Sequence, residues 1–325
     1  MSAPAEIRPI GIVGLGKIAR DQHIPAIHAD PTFTLAACVS PVAADPPLPG
    51  YPELPGYRDI AAMVHARPDI QAVAICTPPS VRFDLARHAL QAGRHVLLEK
   101  PPGVTLDETR SLRALAAAQQ RTVFAAWHAR ETPAVDAARA WLAARRLTSA
   151  RIVWKEDVRR WHPGQDWVWA DGAIGVFDAG INAVSILTRL LDERINVRAG
   201  ALYVPANRQS PIAATVELAT ERGAAIHGAF DWRQTGAQTW DIELVTDDGV
   251  ALLSDGGGRL EIDGRRVSHA PADEYPRLYR VFASLINSGQ TDLDDEPLRL
   301  IADVFRLGAR HQVEPFHDQS QGGSP

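Results

Sequence analysis

Short apolar runs alternate with stretches of helical periodicity through the first 126 residues of the chain. Five apolar or β-branched runs predict strands, over residues 7–13, 34–39, 72–76, 95–98 and 122–126. Four helices are predicted between them, over residues 17–29, 59–66, 80–92 and 106–119. Ser80 and Gly93 are expected to cap the two ends of the third helix. Nearly continuous apolar strands that alternate with helices specify a parallel sheet with helices on both faces.

The pattern changes after His128, where longer strands follow one another with few helices between them. Strands are predicted over residues 150–156, 213–219, 224–232, 239–246 and 250–254. Turn-forming residues join such segments as hairpins, at 221–223, 247–249 and 263–264. Helices are predicted over residues 133–144, 178–191 and 297–311. The last of these helices is expected to pack on either half of the chain.

The sequence therefore predicts an α/β chain of two domains. The first, over residues 1–127, is a doubly wound parallel (Rossmann) sheet. The second, over residues 128–317, is an α+β domain with a large, mostly antiparallel sheet. The polar residues 318–325 are predicted to form a flexible tail.

Composition and charge limit the classes of partner. The chain has 325 residues, of which 46% are hydrophobic and 22% charged, as in a globular enzyme. Its net charge of −5 provides no excess of cations for a nucleic acid. No apolar run approaches the roughly 20 residues of a transmembrane helix, and residues 1–6 lack the features of a signal peptide. The two cysteines, Cys38 and Cys76, lie in predicted buried strands, which favours inert thiols. We expect a cytoplasmic protein without nucleic-acid or membrane partners.

The segment Gly14-Leu15-Gly16-Lys17-Ile18-Ala19 follows the first predicted strand and begins the first predicted helix. Its first glycine permits a tight turn, its second lets a pyrophosphate approach the backbone, and its alanine permits close packing of helix on strand. An NTPase phosphate loop is excluded, because isoleucine follows the lysine where that motif needs serine or threonine. The segment predicts a dinucleotide site, the alternative being a tight turn without a ligand. The expected cofactor contacts in it are Gly14, Gly16, Lys17 and Ile18.

The residue that ends the second strand reads the adenosine ribose in such folds, where an acid binds the 2′-hydroxyl and repels a 2′-phosphate. Here Ser40 is followed by Pro41. Without an acid, NADP is not excluded, and without an adjacent arginine its phosphate is not clamped. The sequence predicts NADP or NAD as the cofactor, with dual use or a modest preference for NADP.

Three motifs resemble the glucose-fructose oxidoreductase/inositol dehydrogenase family: the glycine segment, Thr77-Pro78-Pro79 and Glu99-Lys100-Pro101. The resemblance covers essentially the whole chain. Residues 16–23, 154–165 and 177–183 more narrowly resemble the bacterial L-arabinose 1-dehydrogenase/D-galactose 1-dehydrogenase branch. This resemblance implies oxidation of an aldose at C1 to its aldonolactone, and a cis bond before Pro101. The further expected cofactor contacts are Ser40, Thr77, Pro78, Pro79, Glu99, Lys100 and His128.

Two residues depart from the pattern of that family. Its members usually place a histidine four residues after the aspartate of the second-domain helix, where this chain has Asn182 after Asp178. The narrower branch often carries arginine after the serine that ends the second strand, where this chain has Pro41. The first departure argues against proton transfer by such a histidine, and the second argues against strict use of NADP.

Oxidation of a hemiacetal carbon needs a hydride acceptor, a base for the anomeric hydroxyl and a donor to the oxygen as charge develops. Lys100 lies at the carboxyl edge of the predicted sheet, where open α/β sheets bind ligands, so its ammonium is suited to bind O1. Asp178 and Asn182 are four residues apart, on one face of a helix. A carboxylate accepts a proton and an amide does not, so we expect Asp178 to be the base and Asn182 to orient the substrate. A surface role for Lys100, a capping role for Asp178 and proton transfer to Lys100 are the alternatives.

Residues 154–169 hold four of the eight tryptophans, together with acidic, amide and histidine side chains. Sugars bind to such mixtures, with aromatic faces against C–H surfaces and planar polar groups against hydroxyl pairs. Some of these tryptophans will instead fill the core. No metal is predicted, since no helical His pair or Cys cluster is present. The expected sugar contacts in addition to Lys100, Asp178 and Asn182 are Glu156, Trp161 and His162, with Trp232 and His128 as second choices.

Three functions stay open on the sequence alone. The first is an aldose 1-dehydrogenase acting on L-arabinose and D-galactose, which differ at the C5 substituent. The second is another polyol or inositol-type dehydrogenase of the family. The third is a non-catalytic NAD(P)-binding regulator, against which Lys100 and Asp178 argue because binding alone needs neither. An exposed apolar face of the antiparallel sheet would favour a homodimer.

Overall fold

The structure is a computed structural model that describes residues 7–41, 48, 50–269 and 273–318. Most of the predicted tail, residues 319–325, lies outside the described residues. The chain divides into two compact units. Unit 1 contains residues 1–128 and 273–295, and unit 2 contains residues 129–272 and 296–325.

Unit 1 contains a six-stranded parallel sheet. Its strands are β1 (Arg8–Val13), β2 (Phe33–Val39), β3 (Gly56–Tyr57), β4 (Ala72–Ile75), β5 (His95–Glu99) and β6 (Val123–Ala126). The spatial order is β3-β2-β1-β4-β5-β6, with every neighbouring pair parallel. This is the order of doubly wound dinucleotide-binding folds, so the predicted Rossmann sheet and its five strands are confirmed. The edge strand β3 was not predicted, because two residues carry no recognisable period.

Four helices connect the strands of this sheet. They are α1 (Ile24–Ala29), α2 (Ile60–Ala66), α3 (Pro79–Gln91) and α4 (Leu106–Ala118). A π-helical turn, Ala19–His23, precedes α1. The four helical regions predicted from the sequence are therefore confirmed, with small differences at their ends.

The two ends of α3 differ in how well the sequence predicted them. Pro78 precedes the helix and Pro79 lies in its first turn, so Ser80 is inside the helix and its predicted capping role is wrong. Proline suits this position because it lacks the N–H that a first turn leaves unpaired. Gly93 follows the end of the helix with a φ of +76°, as expected for a glycine that terminates a helix.

Unit 2 begins with a helix and continues as a sheet interrupted by two more helices. The elements in chain order are α5 (Pro133–Leu142), β7 (Leu147–Lys155), α6 (Val158–Trp161), α7 (Phe177–Leu190), β8 (Ile195–Pro205), β9 (Ala213–Thr220), β10 (Ala225–Asp231), β11 (Thr239–Thr246), β12 (Gly249–Ser254), β13 (Arg259–Ile262) and β14 (Arg265–His269). The predicted hairpins β9–β10, β11–β12 and β13–β14 are confirmed as antiparallel pairs. Strand β8 was not predicted, since its exposed and half-buried positions do not alternate regularly.

Helix α8 (Glu274–Ser288) belongs to unit 1 and not to the unit that precedes it in the chain. Its buried face packs into the core of unit 1. Phe282 stacks on Phe33 and Phe124, with ring centroids 5.7 and 6.1 Å apart. The sequence analysis did not predict this helix, and placed residues 273–295 in the second domain.

The chain ends, within the described residues, with α9 (Glu296–Leu307) and β15 (Ala309–Val313) in unit 2. The sheet of unit 2 has the order β14-β13-β12-β11-β7-β10-β9-β8-β15. Only β7–β10 and β8–β15 are parallel, so the prediction of a mostly antiparallel sheet is confirmed. The predicted helix to His311 ends early, because residues 309–313 pair with β8 as a strand. None of the helices in the described part of the chain has the length and apolar character to cross a bilayer.

Helix α7 lies in the core of unit 2, and its position depends on a glycine. Eleven of its fourteen residues are buried. A Cβ on Gly180 would lie 2.5 Å from Cδ1 of Phe230 on β10, a distance that real contacts do not allow. Gly180 therefore lets α7 approach the sheet closely, and this helix carries Asp178 and Asn182.

Candidate active site

The glycine segment of unit 1 forms the tight turn that the sequence predicted. Gly14 has a φ of +89°, and its N–H donates to the carbonyl of Val39 at 3.0 Å. A Cβ on Gly14 would lie 2.9 Å from Cγ2 of Thr77, whereas a Cβ on Gly16 would have no atom within 4 Å. The first glycine is therefore required by the turn and its packing. The second leaves open space beside the backbone.

Thr77 carries a buried hydroxyl oxygen beside the glycine turn. Its Oγ1 has no hydrogen-bond partner among the described residues, and its Cγ2 lies against the turn at Gly14. Most buried polar atoms in proteins are paired, because an unpaired one costs free energy. A polar ligand beside the turn would supply the missing partner. The open space at Gly16 and this hydroxyl together fit a dinucleotide cofactor.

Three other predicted cofactor contacts of unit 1 lie near the carboxyl ends of its strands. Lys17 is exposed and forms an ion pair with Asp21. Ile18 is half-buried and packs against the core of unit 1. The N–H of Ser40 donates to the carbonyl of Tyr57 at 3.0 Å, which fixes the end of β2 against β3. Their contacts with the cofactor stay predictions.

Glu99 and Lys100 follow one another at the carboxyl end of β5. Glu99 is 3% exposed, and its Oε1 accepts hydrogen bonds from His23 Nε2 at 2.9 Å and from Tyr275 at 2.7 Å. The Nδ1 of His23 lies 2.9 Å from the hydroxyl of Tyr279. We call these four side chains, His23, Glu99, Tyr275 and Tyr279, the Glu99 network. The bond between Lys100 and Pro101 is cis, as the family resemblance implied.

The charge of Glu99 is maintained by its donors. Burial by itself disfavours the charged carboxylate, but the hydrogen bond and charge of His23, with the hydrogen bond of Tyr275, lower the pKa of Glu99 to about 2. Glu99 is therefore an anion at neutral pH. The sequence analysis listed Glu99 but missed its partners, since Tyr275 and Tyr279 lie on the helix α8 that it did not predict.

His128 is linked to the same part of unit 1. Its Nδ1 is hydrogen-bonded to Oε2 of Glu274, and its ring stacks on Tyr275 with centroids 5.4 Å apart. Burial opposes protonation of this ring, but the carboxylates of Glu274 and Glu99 outweigh it and raise the pKa of His128. The histidine that the sequence placed near the cofactor is therefore biased towards the cation.

Helix α7 of unit 2 brings three of the predicted substrate residues together. Asp178, in its first turn, is 4% exposed, and its Oδ2 lies 3.5 Å from Nε2 of His162. The Nδ1 of His162 lies 3.3 Å from Oε1 of Gln165. Asn182, one turn further along, has a buried Oδ1 with no hydrogen-bond partner among the described residues. This set combines a buried carboxylate, an adjacent imidazole and an unpaired acceptor.

Glu156 and Trp161 both contact Trp240, a residue that was not predicted from the sequence. Glu156 is 5% exposed, and its Oε2 accepts a hydrogen bond from Nε1 of Trp240 at 2.8 Å. Trp240 also meets Trp161 edge to face, with centroids 5.5 Å apart. Trp240 lies on β11 opposite Trp154 on β7. Only this cross-strand register would have revealed it, and register is not visible in a single sequence.

Trp232, a second-choice sugar contact, is fully buried, and its contact with the sugar stays a prediction. Trp232 has no exposed surface and packs between His162 and Trp169, each with a centroid distance of 5.3 Å. Its indole therefore supports His162 from within the core. Large aromatic side chains beside a site serve this packing role as readily as they face a ligand.

Neither metal nor thiol chemistry finds support in the described residues. No three His, Cys, Asp or Glu side chains of that part of the chain are grouped as metal ligands. Both cysteines are buried and unpaired with each other. Burial raises the pKa of Cys38 and of Cys76, so both stay protonated and unreactive thiols.

Replacement of Gly16 by alanine tests the cofactor site. No atom lies within 4 Å of the added Cβ, so we expect Gly16→Ala to fold with an unchanged melting temperature. The methyl group would occupy the space through which the pyrophosphate approaches, and affinity for NADH and NADPH should fall by about tenfold or more. Fluorescence titration with the reduced cofactors measures this. Unchanged affinity for both cofactors would contradict the site.

Comparisons with known proteins agree with this geometry. Residues 8–127 match a family model described as an oxidoreductase family with an NAD-binding Rossmann fold. The chain is 44% identical over 313 residues to galactose 1-dehydrogenase of Pseudomonas fluorescens, covering 95% of this chain and 98% of that protein. It is 47% identical to the solved D-galactose-1-dehydrogenase of Rhizobium etli, with a TM-score of 0.91, covering 98% of this chain and 100% of the other.

A more distant structure shows the same fold. The 3-ketoreductase of Actinomadura kijaniata, solved with NADP and TDP-benzene, is 18% identical with a TM-score of 0.81, and the match covers 95% of this chain and 100% of that one. The family match gives this chain an NAD-binding Rossmann fold. The chain belongs to the glucose-fructose oxidoreductase/inositol dehydrogenase family of oxidoreductases.

Proposed function

We propose that this protein is an aldose 1-dehydrogenase that oxidises C1 of D-galactose and of L-arabinose to the aldonolactone. The observation that carries the proposal is a polar cluster on and beside α7: buried Asp178, His162 at 3.5 Å from it, and Asn182, whose Oδ1 has no hydrogen-bond partner in the described part of the chain. A neutral polyhydroxy substrate offers hydroxyl donors to such acceptors. The galactose 1-dehydrogenases of P. fluorescens and R. etli support the substrate class by their similarity to this chain.

Asp178 takes the proton of the anomeric hydroxyl in this proposal. A carboxylate is an acceptor at neutral pH, and burial keeps Asp178 away from competing water. His162, at 3.5 Å, helps to hold the carboxylate in place and stabilises its charge. A nicotinamide cofactor held at the turn of Gly14 and Gly16 would accept the hydride of C1, so that the C1–O1 bond would become a carbonyl and the intact ring would make the product a lactone.

Lys100 and Asn182 have the complementary roles. The ammonium of Lys100 donates to O1 and stabilises the negative charge that develops there as the proton leaves. The amide of Asn182 cannot act as a base, but its unpaired Oδ1 is suited to accept a hydrogen bond from a sugar hydroxyl. Asn182 thus orients the substrate. Asp178 takes the proton that, in other family members, a histidine at the position of Asn182 would take.

Glu156 and Trp161 would bind the rest of the sugar. The indole of Trp240 holds one oxygen of Glu156, which fixes the carboxylate for hydroxyl recognition. Trp161 and Trp240 form an aromatic pair, and such rings pack well against the C–H faces of pyranoses. The cytoplasmic location and the homodimer stay predictions.

A substrate panel tests the proposed function. D-Galactose, L-arabinose, D-glucose and myo-inositol are each incubated with NAD⁺ or NADP⁺, and reduction of the nicotinamide is followed by its absorbance. We expect turnover with D-galactose and L-arabinose. For D-glucose, with its inverted C4 hydroxyl, kcat/KM should be lower by about tenfold or more, because polar groups set for one hydroxyl are left unpaired by its epimer. Preference for myo-inositol, or no turnover of any aldose, would overturn the proposal.

Replacement of Asp178 by asparagine tests the base. The amide keeps the shape of the side chain but cannot accept a proton, so kcat for D-galactose should fall by about a hundredfold or more. The control is Asp192→Asn, just beyond the other end of α7, where an exposed aspartate pairs with Arg139. That control should keep wild-type kcat, and both variants should bind NADPH as the wild type does. Wild-type turnover in Asp178→Asn would remove the assignment.

A further inference from the structure

The four side chains of the Glu99 network are connected by three hydrogen bonds. Because an ionised carboxylate only accepts, the Nε2 of His23 and the hydroxyl of Tyr275 both donate to Oε1 of Glu99. The Nδ1 of His23 lies 2.9 Å from the hydroxyl of Tyr279. Each of the four side chains therefore has a hydrogen-bond partner within the network.

The other oxygen of Glu99 acts on the backbone of Lys100. Its Oε2 accepts the N–H of Lys100 at 2.8 Å. The buried guanidinium of Arg82 holds the same segment from the carbonyl side. Its Nη1 donates to the carbonyl of Glu99 at 2.6 Å and also to that of Pro101, and its Nη2 donates to the carbonyl of Thr77. The Glu99–Lys100 peptide is thus held at its N–H by Glu99 and at its C=O by Arg82, and Arg82 also holds the carbonyl of Pro101 on the other side of Lys100.

We propose that the Glu99 network positions Lys100 for catalysis, with Tyr275 and His23 fixing the carboxylate that holds the Lys100 backbone. The inference rests on the proposed role of Lys100 at O1. None of the network residues needs to touch the sugar or the cofactor through its side chain. They are positioning residues. Because Tyr275 and Tyr279 lie on α8, this helix also contributes to the position of Lys100.

Stability alone is a weak reason to bury such a network. A buried ionic group satisfied by several donors is often no more stabilising than apolar side chains of the same volume. What the network does supply is a single rotamer for Glu99, since its two oxygens have three donors at fixed positions. Catalytic rates depend steeply on such placement, and a shift of about 1 Å in a catalytic group costs on the order of a hundredfold in rate.

The test removes one hydroxyl of the network and measures each kinetic constant. In the full-length enzyme, Tyr275→Phe keeps the ring and deletes one donor to Glu99, so kcat for D-galactose should fall by about tenfold. The KM for D-galactose and the Kd for NADPH should stay within about twofold of wild type, because no binding contact is removed. Tyr279→Phe, one hydrogen bond further from Glu99, should have a smaller effect in the same direction.

The matched control is Tyr51→Phe. Tyr51 is a tyrosine of unit 1 that packs on the core and on His28, outside the network. The variant Tyr51→Phe should keep wild-type kcat for D-galactose. Melting temperatures show that each variant is folded, and Tyr279→Phe replaces Tyr275→Phe as the test if the latter does not fold. A change in the KM for D-galactose or the Kd for NADPH alone, with kcat unchanged in both network variants, would overturn the proposal.

A double-mutant cycle separates positioning from general damage. Single-turnover rates are measured for Tyr275→Phe, Lys100→Ala and the double variant. If Tyr275 acts through Lys100, adding Tyr275→Phe to Lys100→Ala should change the single-turnover rate by less than about twofold. If the two substitutions act independently, their separate reductions in rate should multiply in the double variant. A full tenfold effect in the Lys100→Ala background would overturn the positioning role and leave the proposed function intact. Wild-type turnover in Lys100→Ala would instead contradict the proposed role of Lys100 itself.

Discussion

Burial of a carboxylate at the end of β5 is the constraint around which unit 1 is organised. An ionised group inside a protein is tolerated only when donors replace the water it has lost. Glu99 obtains them from His23 near the first helix, from Tyr275 on α8 and from the backbone of Lys100. Segments far apart in the chain must therefore meet at this carboxylate. Among them is helix α8, which returns to unit 1 after most of unit 2 has been completed.

Two buried oxygens near the candidate sites differ from Glu99 in their pairing. Glu99 accepts hydrogen bonds on both oxygens, whereas Asn182 Oδ1 and Thr77 Oγ1 have no hydrogen-bond partner among the described residues. A fully paired carboxylate is held in one position, whereas a buried oxygen without a partner costs free energy unless a ligand supplies one. This contrast supports the assignment of Glu99 to positioning and of Asn182 to substrate binding. It also explains why the packing of Gly180 against Phe230 matters, because it sets the depth of α7 and hence of Asp178.

The parts of the fold that local pattern controls were predictable. Apolar runs and glycine turns located β1, β2, β4, β5 and β6 and the three hairpins of unit 2, because these depend on neighbours in sequence. Helix α8 was missed although its pattern is readable in the sequence: Tyr275, Leu278 and Phe282 have helical spacing, and Arg277 and Arg280 fall on the opposite face. The candidate site followed the same rule. Asp178 and Asn182 were identified from the family resemblance and placed on one helix face by their spacing, whereas Trp240, Arg82 and the partners of Glu99 act across long separations that a single sequence does not display.

D-Galactose deuterated at C1 shows which carbon the enzyme oxidises. The enzyme is incubated with this sugar and NADP⁺, and both products are analysed by NMR before the lactone hydrolyses. If the enzyme oxidises C1, deuterium appears on the reduced nicotinamide and the first sugar product is the ring-closed galactonolactone. Deuterium retained in an oxidised sugar would place the reaction at another carbon and overturn the proposed function.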